Sequence, residues 1–404
     1  MSPAANTPQP PTRLWSRNFI LVSLTNLFQA LVFYLLVTAM ALYAVNEFQA
    51  SEVMSGLAVS GFVLGSVLAR LFTGQAMEFI GRRRTLLVSM ALFLVASALY
   101  LTVDSLGMLI AVRVLHGVTF GAASTVVATA VQGMIPPQRR SEGTGWFGTS
   151  TTVATALGPL LAFQLTDRFG FDSLFILCTV VSGIGLVSAA LVHLPAAPRP
   201  EDGSHPGFSL LRILSRPAVP VSLVILLSGL AYSGVLAFLN GYAQEQGISP
   251  TSASLFFVVY AVVLVLSRFI VGPAHDRYGD NAVVFPLLAC LAVAMAVLAL
   301  WPAVPGLLIA AVLCAFGFGA LLTSLQSVAA TVVPPFQIGV ATSTYFLMLD
   351  VGIGLGPILL GSLLPVTGFS GMYLGLAGFV LMTTGVYWLA HGRRAQHRPG
   401  RGHQ

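Results

Sequence analysis

The chain has 404 residues, 56% of them hydrophobic and only 8% charged. A soluble globular domain carries roughly 25% charged residues, so this composition excludes a soluble enzyme. The 19 Lys/Arg positions are all arginine and outnumber 13 acids, for a net charge of +6; most lie in short loops between apolar runs, a pattern of membrane orientation rather than nucleic-acid binding.

A membrane span needs about 20 apolar residues. Residues 1–17 are polar and proline-rich and read as a tail; the run behind them is too long for the apolar core of a signal peptide. Spans are predicted over 18–43, 53–74, 85–103, 107–132, 143–165 and 171–194, then over 217–240, 251–272, 282–301, 305–332, 339–364 and 369–390. Backbone groups in hydrocarbon must bond internally, so each run reads as a helix. The one long polar break, 195–216, reads as a linker between an N-terminal half (18–194) and a C-terminal half (217–390), and 391–404 is a basic tail. Cys178, Cys290 and Cys314 all lie in apolar runs, an odd and scattered set that suits neither a disulfide framework nor a metal knuckle.

Arginine counting sets orientation. With a cytoplasmic N-terminus, that side carries Arg13, Arg17, Arg82, Arg83, Arg84, Arg139, Arg140, Arg199, Arg212, Arg216, Arg277 and the tail arginines; the opposite side carries only Arg168. Both termini are therefore expected in the cytoplasm. The expected fold is an all-α integral membrane protein of twelve transmembrane helices.

The halves repeat at a constant offset of 198 residues: Tyr34 with Tyr232, Arg70 and Gly74 with Arg268 and Gly272, Glu78 with Asp276, Gly121 with Gly319, Pro136-Pro137 with Pro334-Pro335, and Gly158-Pro159 with Gly356-Pro357. Each half has an even helix count, so the repeat is parallel, about an axis along the membrane normal.

Three motifs stand out. After span 2 comes Gly74, Glu78, Gly81, Arg82, Arg83 and Arg84; after span 8 come Gly272, Asp276, Arg277 and Gly279. Glycines permit tight turns and close helix approach, and an acid there suits an arginine or a neighbouring helix N-terminus. Span 4 carries Arg113, His116 and Gly117. An intramembrane arginine costs roughly 3 kcal/mol on insertion scales, so Arg113 needs a partner; control of a proton site, contact with an anionic group of the substrate and bonding of carbonyls are all open. Span 5 carries Gly145, Gly148, Thr151, Ala154, Thr155, Gly158, Pro159 and Ala162, small residues that allow close packing.

These motifs resemble those of the major facilitator superfamily, and the span 5 element resembles the one that marks its drug/proton antiporters. The match is diluted: Glu78 and Phe79 stand where the loop usually has Asp and Arg, and Ala154 and Ala162 replace glycines. The resemblance implies two rocking six-helix halves in the cell inner membrane, with the first loop latching onto span 11 near Gly339.

Asp350 is the one acid deep inside a span, about 16 Å past Gly339 and near the midplane of a core roughly 30 Å thick. It is the first candidate for proton coupling, with Arg113 and His116 beside it as candidates. Spans 1, 4, 7 and 10 line the cavity in the resembled fold, which nominates Asn26, Gln29, Phe33, Tyr232 and Gln326 for substrate. No P-loop, metal site or nucleophile–base arrangement is readable, so no cofactor is expected. The reading is a monomeric transporter exchanging protons for a small organic molecule. A symporter or facilitator importing a sugar or organic acid shares the same loops, and a non-transporting receptor or scaffold is the reading from another class.

Overall fold

The computed structural model describes residues 13–194 and 213–395; most of the linker and the ends of both tails lie outside it. Among the described residues the protein is all helical, with ten helices long and apolar enough to cross a membrane. They are α1 (Arg17–Phe48), α2 (Glu52–Phe79), α3 (Arg82–Leu99), α4 (Leu106–Met134), α5 (Arg140–Leu191), α6 (Val219–Glu245), α7 (Pro250–Tyr278), α8 (Asp280–Leu300), α9 (Val304–Cys314) running through a π turn into α10 (Leu321–Thr331), and α11 (Ile338–Tyr387).

Two of these differ from the predicted spans. The predicted breaks at 166–170 and 365–368 are not loops. α5 and α11 each run on for 52 and 50 residues, and each is two helices meeting at a kink. The kink residues, Gly170 (φ 76°) and Gly368 (φ 62°), sit one repeat apart. A positive φ is strained for any residue with a Cβ but open to glycine, so one residue reverses the chain where a longer loop was expected.

Helix starts follow local chemistry. The Ser16 side chain accepts from the Phe19 N–H and the Ser249 side chain from the Ser252 N–H, satisfying donors that no helical carbonyl reaches. Gly81 (φ 91°) and Gly279 (φ 83°) supply the left-handed turns out of α2 and α7, again one repeat apart.

The apolar cores are separate for the two halves. One gathers residues from Val221 to Tyr387; two others gather residues from Leu14 to Val192. Many large apolar side chains, such as Leu64, Leu68, Phe269 and Ile270, remain exposed on the outside, as a lipid-facing surface requires. Glycines allow helices to touch inside each half. A Cβ on Gly121 of α4 would stand 2.6 Å from the Ser66 carbonyl oxygen of α2. Gly121→Ala should therefore destabilise by about 1–3 kcal/mol; thermal unfolding of the purified protein measures it, and an unchanged Tm would show that α2 and α4 can part freely.

Candidate functional site

The halves meet along two seams, and both are closed at the end where the arginine-rich loops lie. In the first, α2 packs on α11. A Cβ on Gly74 would be 2.9 Å from the Val340 Cα, so only glycine permits this approach. One turn deeper the Ser343 hydroxyl donates to the Arg70 carbonyl. Arg70 Nε then donates to Asp350 Oδ2 at 2.7 Å, the Ser66 hydroxyl donates to the same oxygen at 3.0 Å, and the guanidinium lies 4.8 Å from the Phe346 ring centre. Asp350, the acid singled out in the sequence, is thus half of an ion pair that joins the two halves. Its side chain is 19% exposed and that of Arg70 is 5% exposed.

In the second seam, α7 packs on α5 at the same positions, one repeat away. Gly272 approaches Glu142 so closely that a Cβ would stand 2.5 Å from its Cα. Asp276 Oδ1 accepts from the Ser141 N–H at 2.8 Å and Oδ2 from the Glu142 N–H at 2.9 Å. A carboxylate of one half therefore caps the N-terminus of a helix of the other, where exposed N–H groups and the dipole favour negative charge. The Ser141 and Ser327 hydroxyls, 2.9 Å apart, add a bond across the seam. Gly145 and Gly148 of the span 5 element meet Arg268 of α7 here, while Gly158 meets Tyr34 of α1. The small-residue stripe thus faces the other half at one depth and its own half at another. The Glu78 side chain lies outside the described side chains. Arg82 is buried, Arg83 is exposed with its guanidinium donating to the Ala190 carbonyl, and Arg277 lies over the Tyr278 ring.

Arg113 and His116 belong to another environment, inside the N-terminal half. Arg113 donates from Nε to the Ala58 carbonyl at 2.8 Å and from Nη2 to the Val59 carbonyl at 3.3 Å; Nη1 reaches the Tyr100 hydroxyl at 3.5 Å. It is fully buried, with the Phe62 ring centre 4.8 Å away. The His116 ring nitrogens lie 3.2 Å from the Ser97 hydroxyl and 3.3 Å from the Tyr100 hydroxyl. Asp350 therefore meets Arg70 and not Arg113. In the sequence Arg70 stands out only as a repeat landmark, equivalent to Arg268. The missed signal was arithmetic: one deep acid and three intramembrane arginines left more than one pairing to weigh.

The nominated substrate residues divide. Asn26 Nδ2 donates to the Ser150 and Thr151 hydroxyls of α5, and Gln29 Nε2 lies 3.1 Å from the Met90 sulfur of α3 while its buried Oε1 has no partner. Phe33 joins a ring cluster with Phe62 and Phe120. Tyr232 stacks on Phe318 at 4.1 Å and on Tyr260 at 5.7 Å. Phe62 and Phe120 correspond to Tyr260 and Phe318 across the repeat, so the two aromatic clusters are mirror partners. Gln326 is buried on α10 with Nε2 unpartnered.

A model of the Major Facilitator Superfamily matches residues 22–249 and 221–404. The chain belongs to the Major Facilitator Superfamily. It is 25% identical over 395 residues to a multidrug resistance protein, MdtG, of Dickeya zeae, covering 94% of this chain and 96% of that protein. It is 21% identical over 358 residues to a staphylopine export protein of Staphylococcus aureus, covering 83% and 87%. In fold it is similar to the crystal structure of the human organic anion transporter MFSD10, with a TM-score of 0.78 at 19% identity over 94% of this chain and 100% of that one. Family membership makes the chain a multi-pass membrane transporter with a small-molecule substrate.

The α7 latch is open to direct measurement. Losing a helix-capping side chain costs about 1 kcal/mol, close to fivefold in an equilibrium. Asp276→Ala should raise the labelling rate of a Ser141→Cys reporter by a membrane-impermeant maleimide several-fold, in a background lacking the three native cysteines. An unchanged rate would show that the cap does not hold this end shut.

Proposed function

We propose that the protein exports a small organic molecule in exchange for protons, by alternating access of two six-helix halves. The kinks at Gly170 and Gly368 divide the ten helical runs into twelve spans, and the arginine-rich, closed end is read as cytoplasmic, in the cell inner membrane. The named relatives, a multidrug resistance protein and a staphylopine exporter, support the export direction.

The observation that carries coupling is the Arg70–Asp350 pair across the seam. A deprotonated Asp350 accepts from Arg70 and Ser66 and ties α2 to α11. Removing one partner of a buried pair costs about 3–5 kcal/mol, because the other charge is stranded. A proton arriving on Asp350 from the open side cancels the carboxylate and frees Arg70, which weakens this end. The closed end then parts, the proton leaves toward the cytoplasm, and substrate enters. Re-forming the pair closes the end again behind the substrate. Because the proton and the closed seam compete for one carboxylate, proton flow inward is linked to substrate flow outward. Arg113 and His116 support this cycle from inside the N-terminal half as packing partners that keep α2, α3 and α4 together. The protein works as a monomer.

The test uses inside-out vesicles with an acid interior and a panel of small molecules. Wild type should show substrate-dependent loss of the pH gradient. Asp350→Asn should lower that response at least tenfold while labelled substrate still exchanges. A full response in the variant would move the proton site away from Asp350. Substrate movement without any gradient loss in the wild type would instead make the protein an uncoupled facilitator.

A further inference from the structure

Three arginines lie inside spans, and the structure satisfies them very differently. Arg70 has a carboxylate and a ring, although its Nη1 has no partner. Arg113 has two carbonyls, a hydroxyl and a ring. Arg268, only 4% exposed, has one recorded hydrogen bond, from Nη1 to the Thr323 hydroxyl at 2.6 Å, and its Nε has no partner. Among the described residues no carboxylate pairs with it.

The repeat shows what is missing. The residues of α11 that surround Arg70 are Ser343, Phe346 and Asp350. One repeat earlier, on α5, the same places hold Gly145, Gly148 and Thr152. Hydroxyl, ring and carboxylate are replaced by two hydrogens and a neutral threonine. The guanidinium lies directly over the bare glycines: a Cβ on Gly148 would be 3.2 Å from Nη2. Nearby on α10, one turn past Thr323, Gln326 is 3% exposed and its Nε2 is also unpartnered. Two donor groups are therefore left unsatisfied around one seam, where an unpaired cation is costly.

The same face of α7 carries Tyr260 two turns away, about 12 Å along the axis, in the ring cluster with Tyr232 and Phe318. A guanidinium at one depth and an aromatic wall at another suit a ligand with an apolar body and a negative end. We propose that Arg268, with Thr323 and Gln326, binds a carboxylate or phosphate group of the transported molecule, so that the substrate is an organic anion. The seam is closed around Arg268 in this state. The site is offered when α5 and α7 part, which on the exporter reading is the cytoplasm-facing state that collects substrate. The inference rests on that reading for its direction, but its binding step does not depend on proton coupling.

The test measures equilibrium binding to the purified full-length protein, with benzoate, phenyl phosphate and neutral benzamide as probes. Wild type should bind at least one of the two anions tenfold or more tightly than benzamide, since a hydrogen bond to a charged group is worth about that much. The tighter of the two anions distinguishes carboxylate from phosphate. Arg268→Gln should reduce the preference to about twofold or less. Arg268→Lys should keep part of it. Thr152→Asp supplies an internal carboxylate at the position that mirrors Asp350. It should abolish the preference while Arg268 stays in place, and so carries the test if Arg268→Gln folds poorly. Anion preference surviving in Arg268→Gln and Thr152→Asp, or no preference in the wild type, overturns the proposal. Either result leaves the vesicle experiment untouched, and failure of gradient coupling there leaves this binding result standing.

Discussion

A guanidinium from one half and a carboxylate from the other meet at 2.7 Å inside the membrane-spanning region. Each charge would be costly alone in a low-dielectric interior. Their meeting requires the backbones of α2 and α11 to approach closely, and Gly74 against Val340 provides that approach. Ser343 then binds the Arg70 carbonyl, which fixes the height of one helix against the other. The seam is a set of partners that hold only while both halves stay together, and in the proposed cycle it is the element that opens and closes. Within each half, by contrast, buried apolar cores hold the helices together.

The second seam shows how a duplicated framework is put to a different use. The close-approach positions are kept, Gly272 on Glu142 for Gly74 on Val340. The kink glycines and the turn glycines are kept as well. These are backbone requirements, and a side chain at any of them would clash or strain the chain. What differs is the chemistry at depth. One seam closes with a buried ion pair. The other closes with Asp276 on a helix N-terminus near the loops, and leaves Arg268 beside bare glycines. Proton coupling and substrate charge recognition, as proposed, are thereby assigned to opposite seams. On the proposed alternating-access cycle both seams open and close together, so an event at either would bias the same equilibrium.

Much of this was legible in the sequence. Low charge, long apolar runs and the backbone's need for internal bonding gave an all-helical membrane chain. The constant offset of 198 residues located Arg70, Arg268, the loop glycines and the two Gly-Pro pairs as equivalents. Asp350 stood out because an acid far inside a span is expensive. All of these follow from local rules: periodicity, hydropathy and the conformational freedom of glycine depend on a residue and its near neighbours.

Only the tertiary structure decided which charge met which. Arg70, Arg113 and Arg268 look alike in sequence, each a lone cation in an apolar run. They differ because α2 faces α11, α4 faces the carbonyls of α2, and α7 faces a glycine stretch of α5. His116 and Asn26 likewise turned out to be bonded within their own half, which no spacing along one helix reveals. Partner choice is set by contacts between different helices, from 19 positions apart for His116 and Ser97 to 280 for Arg70 and Asp350, and a sequence read one helix at a time carries no record of which faces are brought together.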